Sequence, residues 1–316
     1  MDDEKVSNAV KILKSAINLE RLEFADEIPL SSTEAFQAVI ELQRLRSVSI
    51  TSDELAGLFW LKHTKSPISE VKIDDWSREI IPMSELVGLA THLTTLDLNV
   101  HGIATANACF SRLRSLVLRV YEPVTASSLA SIFPNLDYAD IIMHNTDEPE
   151  FPSEDEANNL HESNAGDLAS SLLPLPRLKT LTAHAHDLYL SAFTPRADEF
   201  LVYETLQPDG GIQTMLRKIL PAIRPRVLEV SIFFKPEKMA PWQSLKSFIS
   251  FISNMTSLKT LRLELGSEFE GVHTAVEHVV RFPPIFWRRR FKHPLEALGW
   301  YLPTGGGLVF ASVSHR

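Results

Sequence analysis

The stretch HLTTLDLNV, residues 92–100, places leucine at 93, 96 and 98 and valine at 100, with small polar residues between them. Across its whole length the spacing L-x-x-L-x-L fits neither the 3.6-residue period of a helix nor the two-residue alternation of a strand. It does fit a turn that runs into a short strand. Leu96 and Leu98 then share one face of that strand. Leu93 enters the same core from the turn, and Thr95 and Asp97 face the other way.

The triplet recurs along the chain, and self-similarity at a fixed period is the signature of a repeat architecture. Copies stand at Leu19-Leu22-Phe24, Leu45-Val48-Ile50, Ile68-Val71-Ile73, Leu113-Leu116-Leu118 and Leu258-Leu261-Leu263. Looser ones are Leu136-Ala139-Ile141, Leu178-Leu181-Ala183, Val227-Val230-Ile232 and a closing Leu295-Leu298-Trp300. The first five steps are 26, 23, 25, 20 and 23 residues, and the later ones are 42, 49, 31 and 37. The long steps point to insertions or to a degenerate unit, for which EFLVYETL, residues 199–206, is the candidate.

Between triplets the sequence reads as helix. TEAFQAVIEL puts Phe36, Val39 and Ile40 on one face, SLKSFISFI does so with Leu245, Phe248, Ile249 and Ile252, and GVHTAVEHVV with Val272, Ala275, Val276 and Val279. Alternating helix and short strand predicts an α/β solenoid with a parallel sheet on one face and helices on the other. No unit can bury its apolar row alone, so the units must stack. The expected layout is a single repeat domain over residues 1–316, an acidic loop insertion at 144–167 and a cap region at 283–316.

These motifs, from about residue 15 to 302, resemble the leucine-rich repeat proteins, in the irregular ribonuclease-inhibitor-like style found in fungal F-box proteins. The resemblance implies a curved horseshoe that binds protein on its concave sheet, and a substrate-recognition role in an F-box-type ubiquitin ligase. The adaptor-binding F-box motif itself is not seen ahead of NLERLEF, so a ligase adaptor is the expected partner of a longer native chain that carries one. Regular repeats of this kind place asparagine or cysteine at the ninth position. Here that position holds Glu27, Asp53, Trp76, His101, Tyr121, His144, His186, Lys235 and Gly266. The histidines read first as a makeshift hydrogen-bonding ladder, and alternatively as a row that titrates near neutrality.

Composition narrows the class. The chain has 316 residues, 44% hydrophobic and 22% charged, which is the balance of a folded protein. Its net charge of -9 disfavours generic binding to nucleic acid. Cys109 is the one cysteine, so no intrachain disulfide can form, and the acidic amino terminus is unlike a secretory signal. No apolar run approaches the roughly 20 residues of a membrane span. The expectation is a cytoplasmic or nuclear protein without a membrane partner.

Motifs for chemistry are weak. His184 and His186 in AHAHD fall at a strand end by the repeat count and have no matching cluster elsewhere. HTAVEH lacks the order of a zinc-binding helix, and PTGGGLVF lacks the lysine and serine of a phosphate loop. Cys109 reads as a buried residue of a helical return. No catalytic, cofactor or metal residue is assigned, and the expectation is a protein without enzymatic activity. Between His144 and Asp167 lie eight acids and no lysine or arginine, a run that reads as a solvated loop. FWRRRFKH, residues 286–293, reads as a surface cap or a partner for those acids, with nucleic acid behind it.

The residues flanking the inward pairs should form the working surface. They are mostly small and polar, which suits a shallow protein-binding face better than a pocket. The candidate partner-binding residues are Arg119, Tyr138, Asp140, Thr182, His184, Phe233 and Arg262. The function read from the sequence is a protein-protein interaction module. The alternatives are a stand-alone scaffold or inhibitor and, behind it, a GTPase-activating regulator.

Overall fold

Thr95–Val100, the second half of the quoted stretch, is a six-residue strand in which Leu96, Leu98 and Val100 are buried and Thr95, Asp97 and Asn99 are half-buried. In the computed structural model the described residues are 3–24, 33–52, 55–75, 79–104, 108–143, 154–206, 211–234, 248, 250–252, 254–269 and 272–281. They form two compact units, Met1–Tyr203 and Glu204–Arg316.

In the first unit the strands are β1 (Arg21–Phe24), β2 (Ser47–Ser52), β3 (Glu70–Asp75), β4 (Ile80–Pro82), β5 (Thr95–Val100) and β6 (Gly102–Ala104). They are followed by β7 (Ser115–Val120), β8 (Tyr138–Met143), β9 (Arg177–Ala183) and β10 (Arg196–Leu206). The main sheet runs β1-β2-β3-β5-β7-β8-β9-β10 with every neighbouring pair parallel, and β4 and β6 form a separate two-stranded parallel sheet. The fold class is therefore α/β with a parallel sheet.

The triplet frame is written in the backbone. In each unit the carbonyl of the residue after the first apolar position accepts two N–H groups from the next unit. Glu20, Arg46, Ser69, Thr94, Arg114 and Asp137 do this in the first compact unit, at 2.7–3.3 Å. Each such bond fixes the register of the next turn, so the parallel strands begin in step. Leu19 falls outside the buried set, but Leu45, Ile68, Leu93, Leu113, Leu136 and Leu178 are all buried, as the first triplet position requires.

The degenerate unit suspected at residues 199–206 is β10. Its register with β9 sets Ala197 opposite Leu178, Phe200 opposite Leu181 and Val202 opposite Ala183. The hidden triplet is thus Ala197-Phe200-Val202, all three buried. It breaks the 49-residue step that the sequence had left unexplained.

The returns differ from the all-helical expectation. Helices α1 (Asp3–Ser15) and α2 (Thr33–Ile40) pack together. The next two returns are 3-10 helices, Leu55–Lys62 and Met83–Leu89, which rise further per residue than an α-helix and so span a short repeat with fewer residues. Then follow α3 (Ala126–Ile132), α4 (Glu154–Ser171) and α5 (Ala185–Ser191). The acidic segment 144–167 was expected as a loop. Its residues 144–153 lie outside the described set, and from Glu154 onward it is helix.

Helix α4 is held by polar contacts that a loop reading could not show. His161 stacks on Tyr189 of α5 with ring centroids 4.2 Å apart, the Tyr189 hydroxyl donates to Asn158 at 2.6 Å, and Asn164 donates to the Leu190 carbonyl at 2.7 Å. The acids Asp155, Glu156, Glu162 and Asp167 stay on its exposed side. Cys109 also departs from expectation: it is exposed and not helical, between buried Ala108 and Phe110.

The second unit contains α6 (Gly211–Ile223), β11 (Val227–Phe234), β12 (Thr260–Phe269) and β13 (Val272–Arg281). Helix α6 buries Leu216, Ile219, Leu220 and Ile223. Here two readings need correction. The pairing of Leu228 with Leu261, and the Arg226 carbonyl that accepts from Lys259 and Thr260, set the unit's triplet at Pro225-Leu228-Val230, not Val227-Val230-Ile232. Pro225, Leu228 and Val230 are buried. GVHTAVEHVV is not a helix but strand β13, antiparallel to β12. Its valines and threonine are β-branched, stiff at the first side-chain torsion, and favour the pleated strand. The final triplet at Leu295, the cap at 283–316 and residues 286–293 lie outside the described residues, as does most of SLKSFISFI. Of that segment Phe248 and Ile252 are helical and buried.

Candidate functional site

The parallel register of the first unit lines its open-face residues into rows that cross the strands. One row is Lys72, Asp97, Val117, Asp140, Thr182 and Leu201. The row before it is Glu70, Thr95, Ser115, Tyr138, Thr180 and Glu199, and the row after it begins Asp74, Asn99, Arg119 and Ile142. Strands lie about 4.8 Å apart and alternate residues along a strand nearly 7 Å apart. Side chains from neighbouring strands and rows therefore meet.

They meet most closely around Asp140. The Arg119 guanidinium lies between two carboxylates, 3.5 Å from Asp97 Oδ1 and 3.4 Å from Asp140 Oδ2. The Tyr203 hydroxyl, from the strand on the far side of β9, donates to Asp140 at 3.0 and 3.1 Å from the two carboxylate oxygens. The His184 and Tyr203 rings lie 5.6 Å apart, and one strand further out Asn99 donates to Asp74 at 2.8 Å. Asp140 is only 5% exposed although it stands on the open face, because the longer side chains of Arg119 and Tyr203 close over it.

Burial determines the electrostatics. The Asp140 carboxyl is raised above its ordinary value of 3.8, first by loss of water and then by the Asp97 charge. The Tyr203 hydrogen bond, the Arg119 charge and His184 oppose that rise. The Tyr203 phenol is pushed up to about 12, by the withdrawal of its hydroxyl from water and by the Asp140 charge. Tyr203 as a residue nevertheless remains 43% exposed. Tyr138 is raised for the same two reasons, with Thr182 and Arg119 pulling the other way. At neutral pH the Tyr203 phenol is therefore a neutral donor to Asp140.

The rise at Asp140 has a consequence for stability. A carboxyl whose pKa is higher in the folded state binds more protons there than in the unfolded chain. Its contribution is present in full below 3.8 and is lost as pH rises through the folded value. Asparagine mimics the protonated form and still accepts from Tyr203. We expect Asp140→Asn to be at least as stable as the wild type at pH 7, with the difference shrinking as pH falls below 4. Urea unfolding at the two pH values measures this, and a variant less stable at pH 7 than at pH 4 relative to wild type would show that Arg119 outweighs the burial.

Five of the seven candidates come together here: Arg119, Tyr138, Asp140, Thr182 and His184. The other two belong to the second unit. Arg262 lies opposite Glu229 and 3.3 Å from its carboxylate, and Phe233 is paired in register with Gly266. The sequence reading missed Tyr203. Framing residues 197–202 as a repeat would have found it, since Glu199, Leu201 and Tyr203 are the outward partners of the hidden triplet.

The ninth-position histidines do not act as one row. His101 stacks on Tyr121 with centroids 5.8 Å apart, and its carbonyl accepts from Tyr121 and Glu122. Strand β9 ends at Ala183, so His184 stands directly at the strand end as expected, whereas His186 lies further on, inside α5. His184 is the N-cap residue of α5, and His186 is buried in that helix next to Asp187, whose carboxylate accepts the Met143 N–H at 2.6 Å. His144 lies outside the described residues. Among the described residues no group of three histidine, cysteine or acidic side chains is placed to hold a metal, and no helix is long and apolar enough to cross a membrane. No protein-family model, no curated protein and no solved structure matches the chain.

Proposed function

We propose that the chain is a non-enzymatic protein-interaction module of leucine-rich-repeat type, and that its partner docks on the open sheet face around Tyr138, Asp140, Arg119 and Tyr203. What supports this most is the placement of Asp140, a carboxyl on the open sheet face whose pKa burial raises, held between the Arg119 guanidinium and the Tyr203 hydroxyl with Tyr138 beside it. A residue that works against stability on a surface is better explained by recognition than by folding. Tyrosine and arginine are also the side chains that most often carry binding energy, because they desolvate large area with few torsions to freeze. The strands hold these side chains at fixed spacing, so little order is lost on binding.

The resemblance of the repeats to those of F-box proteins extends the proposal to substrate recognition for a ubiquitin ligase. A stand-alone scaffold uses the same face without an adaptor. One experiment addresses both. The gene product, tagged at its carboxyl end, is purified from its own cells beside the Tyr138→Ala/Tyr203→Ala variant, and the companions are identified by mass spectrometry. Losing two such side chains at about 2 kcal/mol or more each should lower the yield of the true partner well over tenfold. An adaptor bound equally to both forms marks a ligase subunit, and its absence marks a scaffold. A variant that folds and retains every companion overturns the docking face.

A further inference from the structure

We infer that the occupant of this face is an extended, basic segment of a protein partner, whose lysine or arginine side chains lie over the rows between β3 and β10. The inference rests on the reading of that face as the docking surface and adds the chemistry of what docks.

Charge complementarity carries it. Between β3 and β10 the three rows hold five carboxylates, Glu70, Asp74, Asp97, Glu199 and the covered Asp140, against Lys72 and Arg119. Arg119 already serves two of the five. Glu70 is exposed, Asp74 accepts from the neutral amide of Asn99, and Asp97 and Asp140 share one guanidinium. The excess over these three rows is therefore negative. An acidic segment would be repelled here.

The rest of the surface suits long cationic side chains. Val117, Ile142 and Leu201 are half-buried apolar steps, over which the methylenes of lysine or arginine can lie while the charged head reaches a carboxylate. Tyr203, exposed as a residue and tied down through its hydroxyl, offers an aromatic ring to a guanidinium. An extended chain that rises about 3.3 Å per residue can follow strands spaced about 4.8 Å apart.

The test uses the full chain and short synthetic peptides of three kinds, alternating Arg/Ser, alternating Glu/Ser and uncharged, with binding followed by fluorescence anisotropy. The Arg/Ser peptide should bind, and binding should weaken as salt shortens the Debye length to about 10 Å and below. The double substitution Glu70→Gln/Asp97→Asn should weaken it about tenfold, equivalent to about 1.4 kcal/mol. The control Glu162→Gln/Asp167→Asn removes two charges from the exposed side of α4 and should leave binding unchanged. Thermal unfolding confirms that both variants fold.

Three results would overturn the inference: no binding of the Arg/Ser peptide, equal weakening by the α4 control, or equal or tighter binding of the Glu/Ser or uncharged peptide. In the last case, if Tyr138→Ala/Tyr203→Ala still abolishes binding, the docking face stands and only its preference for basic segments falls.

Discussion

Leu118→Asp abolishes the cooperative unfolding transition of the first unit. Leu118 is fully buried at the centre of a row that crosses the sheet through Phe24, Ile50, Ile73, Leu98, Leu118, Ile141, Ala183 and Val202. Every member of that row is apolar, so a carboxylate there has nothing to pair with. An isolated ionised group transferred into such surroundings costs far more than the roughly 5–15 kcal/mol that holds a typical domain together. Protonating the new side chain reduces the penalty but leaves a polar group and a packing defect.

Leu118→Ala is the companion measurement. It keeps the fold and lowers stability by about 2–5 kcal/mol, the range for a buried leucine whose cavity does not collapse. Circular dichroism during thermal and urea unfolding distinguishes the two variants. An aspartate variant that melts as sharply as wild type, at the same temperature, would mean that residue 118 does not face the core.

How much of this was legible follows from what each residue type can signal. Leucines two apart after a turn declare a strand and its inward face without help from distant residues, which is why Leu96 and Leu98, or Leu116 and Leu118, could be placed from sequence. The open face could be read for the same reason, because it is what the inward pairs leave over. Signals that depend on partners were not legible. Helix α4 has no apolar stripe and is anchored by His161, Asn158 and Asn164 against backbone and ring groups of α5, so its acids alone suggested a loop.

GVHTAVEHVV shows the opposite failure. Its valines at 272, 276 and 279 satisfy a helical period, yet pairing with β12 and the β-branched side chains favour the strand. In the second unit the frame slipped by two residues because Val227, Val230 and Ile232 mimic the triplet. The inward face survives a slip of two, but the first core position does not, and Pro225 was an improbable choice for it until the Arg226 carbonyl marked the turn. Around Asp140, five residues could be listed as neighbours in a repeat register. Tyr203 could not, because its repeat carries alanine where leucine was sought.

That hidden repeat makes the most exacting prediction. Phe200→Ala lowers the stability of the first unit by about 3–5 kcal/mol, as large a loss as truncating a clean repeat position. Phe200 is fully buried and pairs with Leu181, so it fills the inward site that leucine holds in the regular copies. Its larger ring complements the small Ala197, which occupies the first triplet position where the other copies in the first unit carry leucine or isoleucine. Shrinking Phe200 therefore leaves two adjacent small residues and a cavity that neither β9 nor β10 can close without moving a strand. The loss should also reach the candidate site. Tyr203 reaches Asp140 across β9 only while β10 keeps its register, so the variant should bind partner more weakly under conditions where it remains folded. Urea unfolding of Phe200→Ala beside Leu181→Ala provides the comparison. Equal losses establish β10 as a full member of the repeat series, and a loss below about 1 kcal/mol for Phe200 alone would place residues 197–202 outside the core and return the 49-residue step to the insertion it first resembled.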